Sequence, residues 1–483
     1  MGIKRNFLYN LFLTLSNYIV GLIVFPYISR VLGVANIGVV GFVDNSINYF
    51  ILFATLGIST IGAREIARVK ANKVNLNSVF NSLITLSSIF LAGVLIVYFV
   101  LIYAVPNFSQ YKNLFLIGVA KLIFTIYSIE WFYRGIENFK FISIRNGVVK
   151  LIYLILIFLF VREEQDVETY FLLTVLSIVV SSLINLWYSR RFISFTFKDI
   201  TILPFVKQVL YIGSYSLLTS MYTTFNIMYL GFVCSSIEVG YYWTALKVYT
   251  IIMGFYTAFT GVMMPRMSGL VVRMEFDKFN ELIKKSFDLL LSFVLPLIIV
   301  STILAPQLIF ILAGAGYKGA ITPMQIIMPL LLVVGVAQII AIQVLMPLKH
   351  DSQILRASII GAVIGVSGNL IFVSKYGSIG TACVLLISET IVTAYYIFYS
   401  HKQKIIVYSF KMLKKHVVNL FPYVIVNIIL AYWVYSSFAT IAIALIINGL
   451  LFFLIQFFYI KNEFIYKYIM IIIGKIEILV KNK

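Results

Sequence analysis

The stretch that decides the fold class is residues 151–160, which read LIYLILIFLF, ten apolar residues in succession. A strand of an outer-membrane barrel alternates apolar and polar residues, whereas a helix that faces lipid is apolar on all sides. The same character extends along the 483 residues, of which 61% are hydrophobic and only 12% charged. Soluble domains are about half apolar and about a quarter charged. The sequence therefore predicts an all-α polytopic membrane protein.

Apolar runs of about 20 residues, the length that crosses a bilayer, recur between short polar breaks. We count about 14 transmembrane helices, the second at about residues 38–62 and the fourth at about residues 113–134. The tail from residue 461 mixes apolar residues with Lys and Glu, a pattern that favours an amphipathic segment on the inner membrane surface.

The charge of the chain is unbalanced, with 38 Lys and Arg against 18 Asp and Glu, a net charge of +20. By these span boundaries about 31 of the 38 basic residues fall in one set of alternate loops, Arg145 among them, and about 5 in the other set. Because cytoplasmic loops retain Lys and Arg, both termini are predicted to be cytoplasmic. The excess charge is then a topology signal, and no nucleic acid partner is expected.

An internal repeat relates the two halves. Ile37-Gly38-Val39-Val40-Gly41 opens the second span, and Val239-Gly240-Tyr241-Tyr242-Trp243 opens the eighth, 202 positions later. Six spans separate the copies, so the repeat is parallel: two six-helix lobes related by a pseudo-twofold axis along the membrane normal, plus two C-terminal helices. The alternative is chance likeness among apolar helices. The predicted divisions are residues 1–206, 207–416, 417–460 and the tail 461–483.

Polar and ionisable residues inside spans are costly, so each one is a candidate for function. Lys247 falls on Asn45 under the repeat shift, so Asp44 and Lys247 are expected to face each other across a central cleft. The alternatives are a helix-packing salt bridge for that pair, an interfacial ion pair for Glu130 with Arg134, a snorkelling Lys121 and a headgroup contact for Arg30. The candidates for a substrate or ion pathway are Arg30, Asp44, Asn45, Lys121, Glu130, Arg134, Asn226, Lys247 and Glu389.

The sequence lacks the residue patterns that several kinds of metal, redox and nucleotide chemistry require. The three histidines fall in predicted cytoplasmic segments, which leaves no buried His relay or His metal site. Cys234 and Cys383 carry no CxxC spacing, and there is no GxxxxGK[ST] motif. We therefore expect no cofactor and no metal. Any pumping is expected to use an ion gradient, the membrane potential or downhill substrate flow, and H⁺ and Na⁺ are the candidate coupling ions.

Short motifs in the N-terminal half resemble a known family. They are Phe25-Pro26-Tyr27-Ile28-Ser29-Arg30-Val31-Leu32-Gly33, then Ile37-Gly38, Leu56-Gly57-Ile58, Ala63-Arg64-Glu65-Ile66-Ala67 and Tyr133-Arg134-Gly135-Ile136-Glu137. This pattern resembles the Wzx-type flippases of the multidrug/oligosaccharidyl-lipid/polysaccharide exporter superfamily. The likeness covers nearly the whole chain.

The resemblance implies a function and a place. It implies a bacterial cell (inner) membrane protein that moves an undecaprenyl-diphosphate-linked oligosaccharide to the outer leaflet by alternating access around a cationic cavity. It implies membrane lipids as surroundings, and polysaccharide polymerase and chain-length machinery as partners. Arg30 is the signature residue expected to contact substrate. Because Asp44 and Glu389 accompany Lys247 and Lys121, the cavity here is expected to be mixed in charge.

Two other functions stay open from the residues. A cation-coupled multidrug exporter of the same superfamily would have the same architecture. An integral membrane polysaccharide polymerase or ligase, which would be an enzyme, needs a sizeable outer loop with catalytic basic residues. The short outward loops, with about five Lys and Arg in all, disfavour it.

Overall fold

The structure, a computed structural model, describes residues 3–195, 200–405, 410–433 and 436–460. These ranges are mostly helical and contain no strand, which confirms the all-α prediction. The chain divides into two compact units, unit 1 of Met1–Lys247 with Ser358–Ser388 and unit 2 of Val248–Ala357 with Glu389–Lys483. The lobes of six helices at 1–206 and 207–416 stay a prediction, and the amphipathic tail 461–483 lies outside the described residues.

Unit 1 is built on ten helices and the start of an eleventh, and it also takes in the end of α16, a π-helical turn at Asn369–Val373 and the start of α17. The helices are α1 (Ile3–Thr55), α2 (Ile58–Val69), α3 (Lys73–Ala104), α4 (Pro106–Ser109), α5 (Lys112–Ile126), α6 (Glu130–Gly135), α7 (Phe139–Phe160), α8 (Val167–Ser189), α9 (Leu203–Thr223), α10 (Phe225–Val233) and α11 (Ser236–Val272).

Unit 2 contains the rest of α11 and nine further helices, of which α16 and α17 are shared with unit 1. They are α12 (Phe276–Ile303), α13 (Ala305–Ala313), α14 (Ile321–Ile327), α15 (Leu330–Gln338), α16 (Asp351–Gly368), α17 (Ser374–Lys402), α18 (Phe410–Val418), α19 (Phe421–Trp433) and α20 (Ser437–Leu454). A 3₁₀ turn at Ala315–Ala320 and π-helical turns at Ile339–Leu345 and Ile455–Ile460 complete it.

Nine helical segments of the described residues are long and apolar enough to cross a membrane, and eleven when two bent helix pairs are counted as spans. The predicted number of 14 is not confirmed. Two of the nine segments, Ile19–Thr55 and Asp351–Lys402, each cover two predicted spans. The backbone leaves helical geometry inside them at Gly33 (φ 74°) and Gly377 (φ 51°), because glycine adopts positive φ without a Cβ clash.

Two predicted spans of unit 1 are interrupted helices. The span predicted at 38–62 breaks at Leu56 (φ 34°) and Gly57 (φ 82°), where α1 ends and α2 begins. The span predicted at 113–134 breaks at Ile129 (φ 42°), between α5 and α6. A β-branched residue rarely adopts positive φ, so no residue in the sequence indicates this second break. Both breaks border the same hydrophobic cluster, which includes Ile58 and Trp131.

The two glycines of the sequence repeat allow α1 and α11 to pack backbone against backbone within unit 1. A Cβ on Gly38 would lie 1.7 Å from the carbonyl oxygen of Ser236, and one on Gly240 would lie 2.3 Å from that of Val34. The contact is reciprocal, since each glycine meets the turn that precedes the other one. A twofold relation produces contacts of this kind.

Candidate functional site

An ion pair in the interior of unit 1 joins α1 to α5. The Lys121 ammonium lies 2.5 Å from Asp44 Oδ1 and donates to Asn48 Oδ1 at 2.7 Å, while Asn48 Nδ2 donates to Asp44 Oδ2 at 3.1 Å. The Lys121 side chain is 7% exposed and that of Asp44 is 23% exposed. Asp44 and Asn48 are four residues apart on one helix face, so both reach the same ammonium group.

Lys247 on α11 adds a second ammonium group to this region. Its Nζ lies 4.9 Å from the centre of the Trp243 ring, and it interacts electrostatically with Asp44 and with Lys121. The structure thus brings together Asp44, Lys121 and Lys247, three of the residues that the sequence singled out. Asn48 was missed, although its spacing of four from Asp44 was visible in the sequence.

A second group of charges surrounds Glu130, at the start of α6. Its Oε1 lies 2.6 Å from a guanidinium nitrogen of Arg145, and its Oε2 lies 3.6 Å from one of Arg134. Lys150 interacts electrostatically with Glu130 and Arg145. The predicted pair of Glu130 with Arg134 is present, but Arg145 is the closer partner.

The assignment of Arg145 to a loop was wrong. Helix α7 begins at Phe139, several residues before the predicted span, so Arg145 lies in its second turn with a side chain only 5% exposed. The charge count treats every Lys or Arg near a span end as a topology signal. The charge count cannot identify a Lys or Arg whose side chain turns inward to pair with a carboxylate on another helix.

A polar track connects the two groups of charges. On α5, Thr125 follows Lys121 by one helical turn, and its hydroxyl donates to the Lys121 carbonyl at 2.7 Å. Thr125 lines a cavity of about 280 Å³ that Glu130 and Arg134 also line. Along this track unit 1 places five cationic and two anionic side chains: Lys121, Lys247, Arg134, Arg145 and Lys150 against Asp44 and Glu130. The track therefore has a net positive charge.

The other four candidates have separate surroundings. Arg30 is exposed and donates to the carbonyl of Pro26 at 2.6 Å, and Asn45 donates to the carbonyl of Gly41 on its own helix. Asn226 is fully buried and accepts from Asn369 at 2.6 Å, an arrangement that packs α10 against the π-helical turn. Glu389 lies in unit 2, half-buried on α17, without a hydrogen-bond or ion-pair partner among the described residues.

The fold and the charged interior define a class: a multi-pass helical membrane protein with ionisable residues in its interior. The structure is similar to that of "Lipid II flippase MurJ, inward closed conformation", with a TM-score of 0.77 and 17% sequence identity, over 94% of this chain and 99% of that one. It is also similar to an inward-facing multidrug resistance MATE family transporter of the MOP superfamily, with a TM-score of 0.61 and 16% identity, over 80% of this chain and 93% of that one.

The sequence places the chain in a family within this class. The family described as "Polysaccharide biosynthesis protein" matches residues 3–271, and the chain belongs to this family. Two relatives named "Putative O-antigen transporter" are similar to it: one of Escherichia coli (strain K12), 24% identical over 418 residues, 84% of this chain and 99% of the relative, and one of Shigella dysenteriae, 21% identical over 401 residues, 81% of this chain and 98% of the relative. The family resemblance of the N-terminal motifs is confirmed.

Proposed function

We propose that this protein is a flippase that moves undecaprenyl-diphosphate-linked oligosaccharide repeat units from the cytoplasmic to the outer leaflet, for O-antigen, capsule or exopolysaccharide synthesis. The observation that carries the proposal is the net cationic track inside unit 1 of a protein from a polysaccharide biosynthesis family. Charges inside a membrane protein are kept where they serve a pathway, and a diphosphate is the anion that this substrate carries.

The ion pair of Lys121 with Asp44 suits a site where the ammonium group exchanges its carboxylate partner for a phosphate of the substrate. Without substrate, Asp44 and Asn48 satisfy the buried ammonium group, so it carries no unpaired charge. A diphosphate can then compete with Asp44 for Lys121 and Lys247, since phosphate oxygens accept charge-assisted hydrogen bonds as carboxylates do. Transport moves the molecule without changing its covalent bonds, so the protein acts as a transporter and not as an enzyme.

The coupling and the setting belong to the same proposal. The driving force is an H⁺ or Na⁺ gradient, and Asp44 or Glu389 is the carboxylate that binds the coupling ion. The protein lies in the bacterial inner membrane with both termini in the cytoplasm, as the basic loops favour. Its partners are membrane lipids, the lipid-linked oligosaccharide and the polymerase and chain-length machinery that extend the exported unit.

The competing function is cation-coupled drug export, which the similarity of fold to MATE transporters allows. The family match and the two O-antigen relatives favour the glycan substrate. The two functions differ in what a deletion strain shows: a drug exporter changes drug susceptibility, whereas a flippase changes the leaflet on which the lipid-linked repeat accumulates.

The test is a deletion strain complemented by variants. Deletion should trap the lipid-linked repeat in the cytoplasmic leaflet, and the wild-type gene should restore surface polysaccharide. Lys247→Ala and Asp44→Ala should each fail to restore it at normal protein abundance in the membrane. Lys112→Ala is the matched control, because the Lys112 ammonium lies over the Tyr103 ring, 4.5 Å from its centre and outside the track. Unchanged leaflet distribution after deletion would refute the function, and full activity of both variants would refute the site.

A further inference from the structure

The cavity of about 280 Å³ in unit 1 lies where two helix breaks meet. Thr55 ends α1 just before one break, and Ser128 lies in the other, between α5 and α6. The lining contains five hydroxyl side chains, one carboxylate and one guanidinium. This volume suits one sugar ring with an attached phosphate and is too small for an oligosaccharide, since ligand pockets for larger organic molecules start at about 300 Å³.

The hydroxyl groups divide into acceptors and donors. Thr55, Ser87 and Thr125 each donate to a carbonyl of their own helix, at 2.9, 2.9 and 2.7 Å, so toward a ligand their oxygens can only accept. Within the described residues, the hydroxyls of Ser59 and Ser128 have no partner and can donate. A hydroxyl-bearing ring both donates and accepts hydrogen bonds, and this lining matches both requirements.

The charges of the cavity favour an anionic group on that ring. Arg145 holds Glu130 at 2.6 Å, whereas Arg134 is 3.6 Å away and its side chain is 52% exposed. Arg134 can therefore turn to a ligand while Arg145 keeps Glu130 paired. A guanidinium group matches phosphate oxygens in a bidentate geometry, and Lys150 adds positive charge near Glu130.

We infer that this cavity binds a sugar phosphate, and that its natural ligand is the sugar phosphate next to the lipid in the lipid-linked oligosaccharide. The sugar hydroxyls bond to the hydroxyl lining and to Glu130, and the phosphate bonds to Arg134. The cavity lies one turn of α5 beyond the Lys121 and Asp44 pair, and Thr125 connects the two. The cavity is thus a recognition site beside the transport cluster. The identification of the natural ligand rests on the proposed function, whereas the inference that the cavity binds a sugar phosphate rests on its lining alone.

The binding test uses the purified full-length chain in detergent micelles. The probes are a hexose 1-phosphate, the free hexose and inorganic phosphate at equal ionic strength, and the measurement is the half-saturating concentration from thermal melts. Hexose 1-phosphate should bind at least tenfold more tightly than either fragment. Arg134→Gln should weaken it about tenfold, as expected for the loss of one charge-assisted contact, and Ser59→Ala should weaken it by a smaller factor. Arg68→Gln is the matched control, because Arg68 is exposed on α2 and pairs with Glu65 away from the cavity.

The Glu130→Gln variant separates an anionic ligand from a cationic one. Removal of the carboxylate frees Arg134 and removes a like charge, so hexose 1-phosphate should bind more tightly than to the wild type. A ligand with an ammonium group would bind more weakly. Equal binding of hexose and hexose 1-phosphate, or normal binding by Arg134→Gln, would overturn the inference; if Glu130→Gln does not fold, Arg134→Gln and Ser59→Ala decide.

A further arm identifies the source of the sugar phosphate. A monosaccharide linked to undecaprenyl diphosphate should bind with the same dependence on Arg134 as the soluble probe, and binding of the soluble probe alone would overturn the assignment to the lipid headgroup. The outcome is separable from that of the proposed function. If the purified chain binds hexose 1-phosphate as expected but deletion leaves the leaflet distribution unchanged, only the flippase function is refuted. If deletion abolishes export but Arg134→Gln binds hexose 1-phosphate normally, only the cavity site is refuted.

Discussion

Replacement of Asp44 by Asn tests what the interior ion pair does. At 2.5 Å the attraction of the two unit charges is about 7 kcal/mol with an effective dielectric constant of about 20, much of which offsets desolvation. Removing one member of a buried pair costs about 3–5 kcal/mol. Asn48 still accepts from Lys121 at 2.7 Å, so we expect the lower end, about 3 kcal/mol.

The two members of the pair should not be equivalent. Asp44→Asn leaves a charged Lys121 that is 7% exposed, whereas Lys121→Met leaves Asp44, which is 23% exposed and accepts from Asn48. Lys121→Met should therefore cost less, about 1–2 kcal/mol. The double variant removes both charges, so with a coupling energy of about 2 kcal/mol its loss of stability should be about 2–3 kcal/mol, smaller than the sum of the two single losses. It should still fail to export polysaccharide, because transport needs the ammonium group itself.

Two measurements on the same variants separate stability from transport. Unfolding of the purified chain in detergent gives the order of stabilities, and complementation of the deletion strain gives export at matched protein abundance. Asn45→Ala is the control, since within the described part of the chain its amide bonds only to the carbonyl of Gly41 and its loss should cost about 1 kcal/mol or less. Additive losses in the double variant, or export by it at the wild-type level, would show that the reasoning about this pair is wrong.

Two further predictions concern the helix packing and an exposed loop of unit 1. Gly38→Ala places a Cβ 1.7 Å from the Ser236 carbonyl oxygen, so α1 and α11 must separate at a cost of about 1–3 kcal/mol or more, and the melting temperature of this variant should fall. Gly21→Ala is the control: apart from the backbone of its own helix, no atom of the described residues lies within 4 Å of the added Cβ, so its melting temperature should not change. The backbone N–H groups of Arg162 and Glu163 donate to Asp166 Oδ2 at 2.8 and 2.9 Å. These hydrogen bonds hold the pKa of Asp166 below its usual value. A lowered pKa stabilises the loop above the unfolded value near pH 4, and the effect is lost as the pH falls through the folded value. The protection of the amides of residues 162–163, taken relative to their intrinsic exchange rates at each pH, should therefore fall at low pH, and Asp166→Asn should abolish that change.

Hydropathy was sufficient for the fold class but not for the helix ends. The run 151–160 lies in a single helix, α7, as expected for an all-α membrane protein. The break at Gly57 has a sequence cue, because glycine favours positive φ. The break at Ile129 has none, since a buried isoleucine at φ 42° is held there by its surroundings and not by its own preference.

The candidate site was predicted in part for a similar reason. Asp44, Lys121 and Lys247 were identified because a charge inside an apolar span is unusual wherever its partner lies. Their partners could not be assigned, since Asp44 and Lys121 are 77 positions apart. Arg145 was placed in a loop because its own neighbours in sequence are those of a loop, and only the packing of α6 against α7 buries it beside Glu130.

The sequence by itself determined the class and the family of this protein. The apolar residues that a span needs can be recognised at each position without knowing which residues they contact, and each family motif is contiguous in the sequence. The tertiary structure alone decided which charges meet. Electrostatic attraction depends on the distance between side chains in space, and in a bundle of interrupted helices that distance is set by close backbone contacts such as Gly38 against Ser236 and by breaks such as that at Ile129. The ion pair of Lys121 with Asp44 and the cavity beside Glu130 are products of that packing.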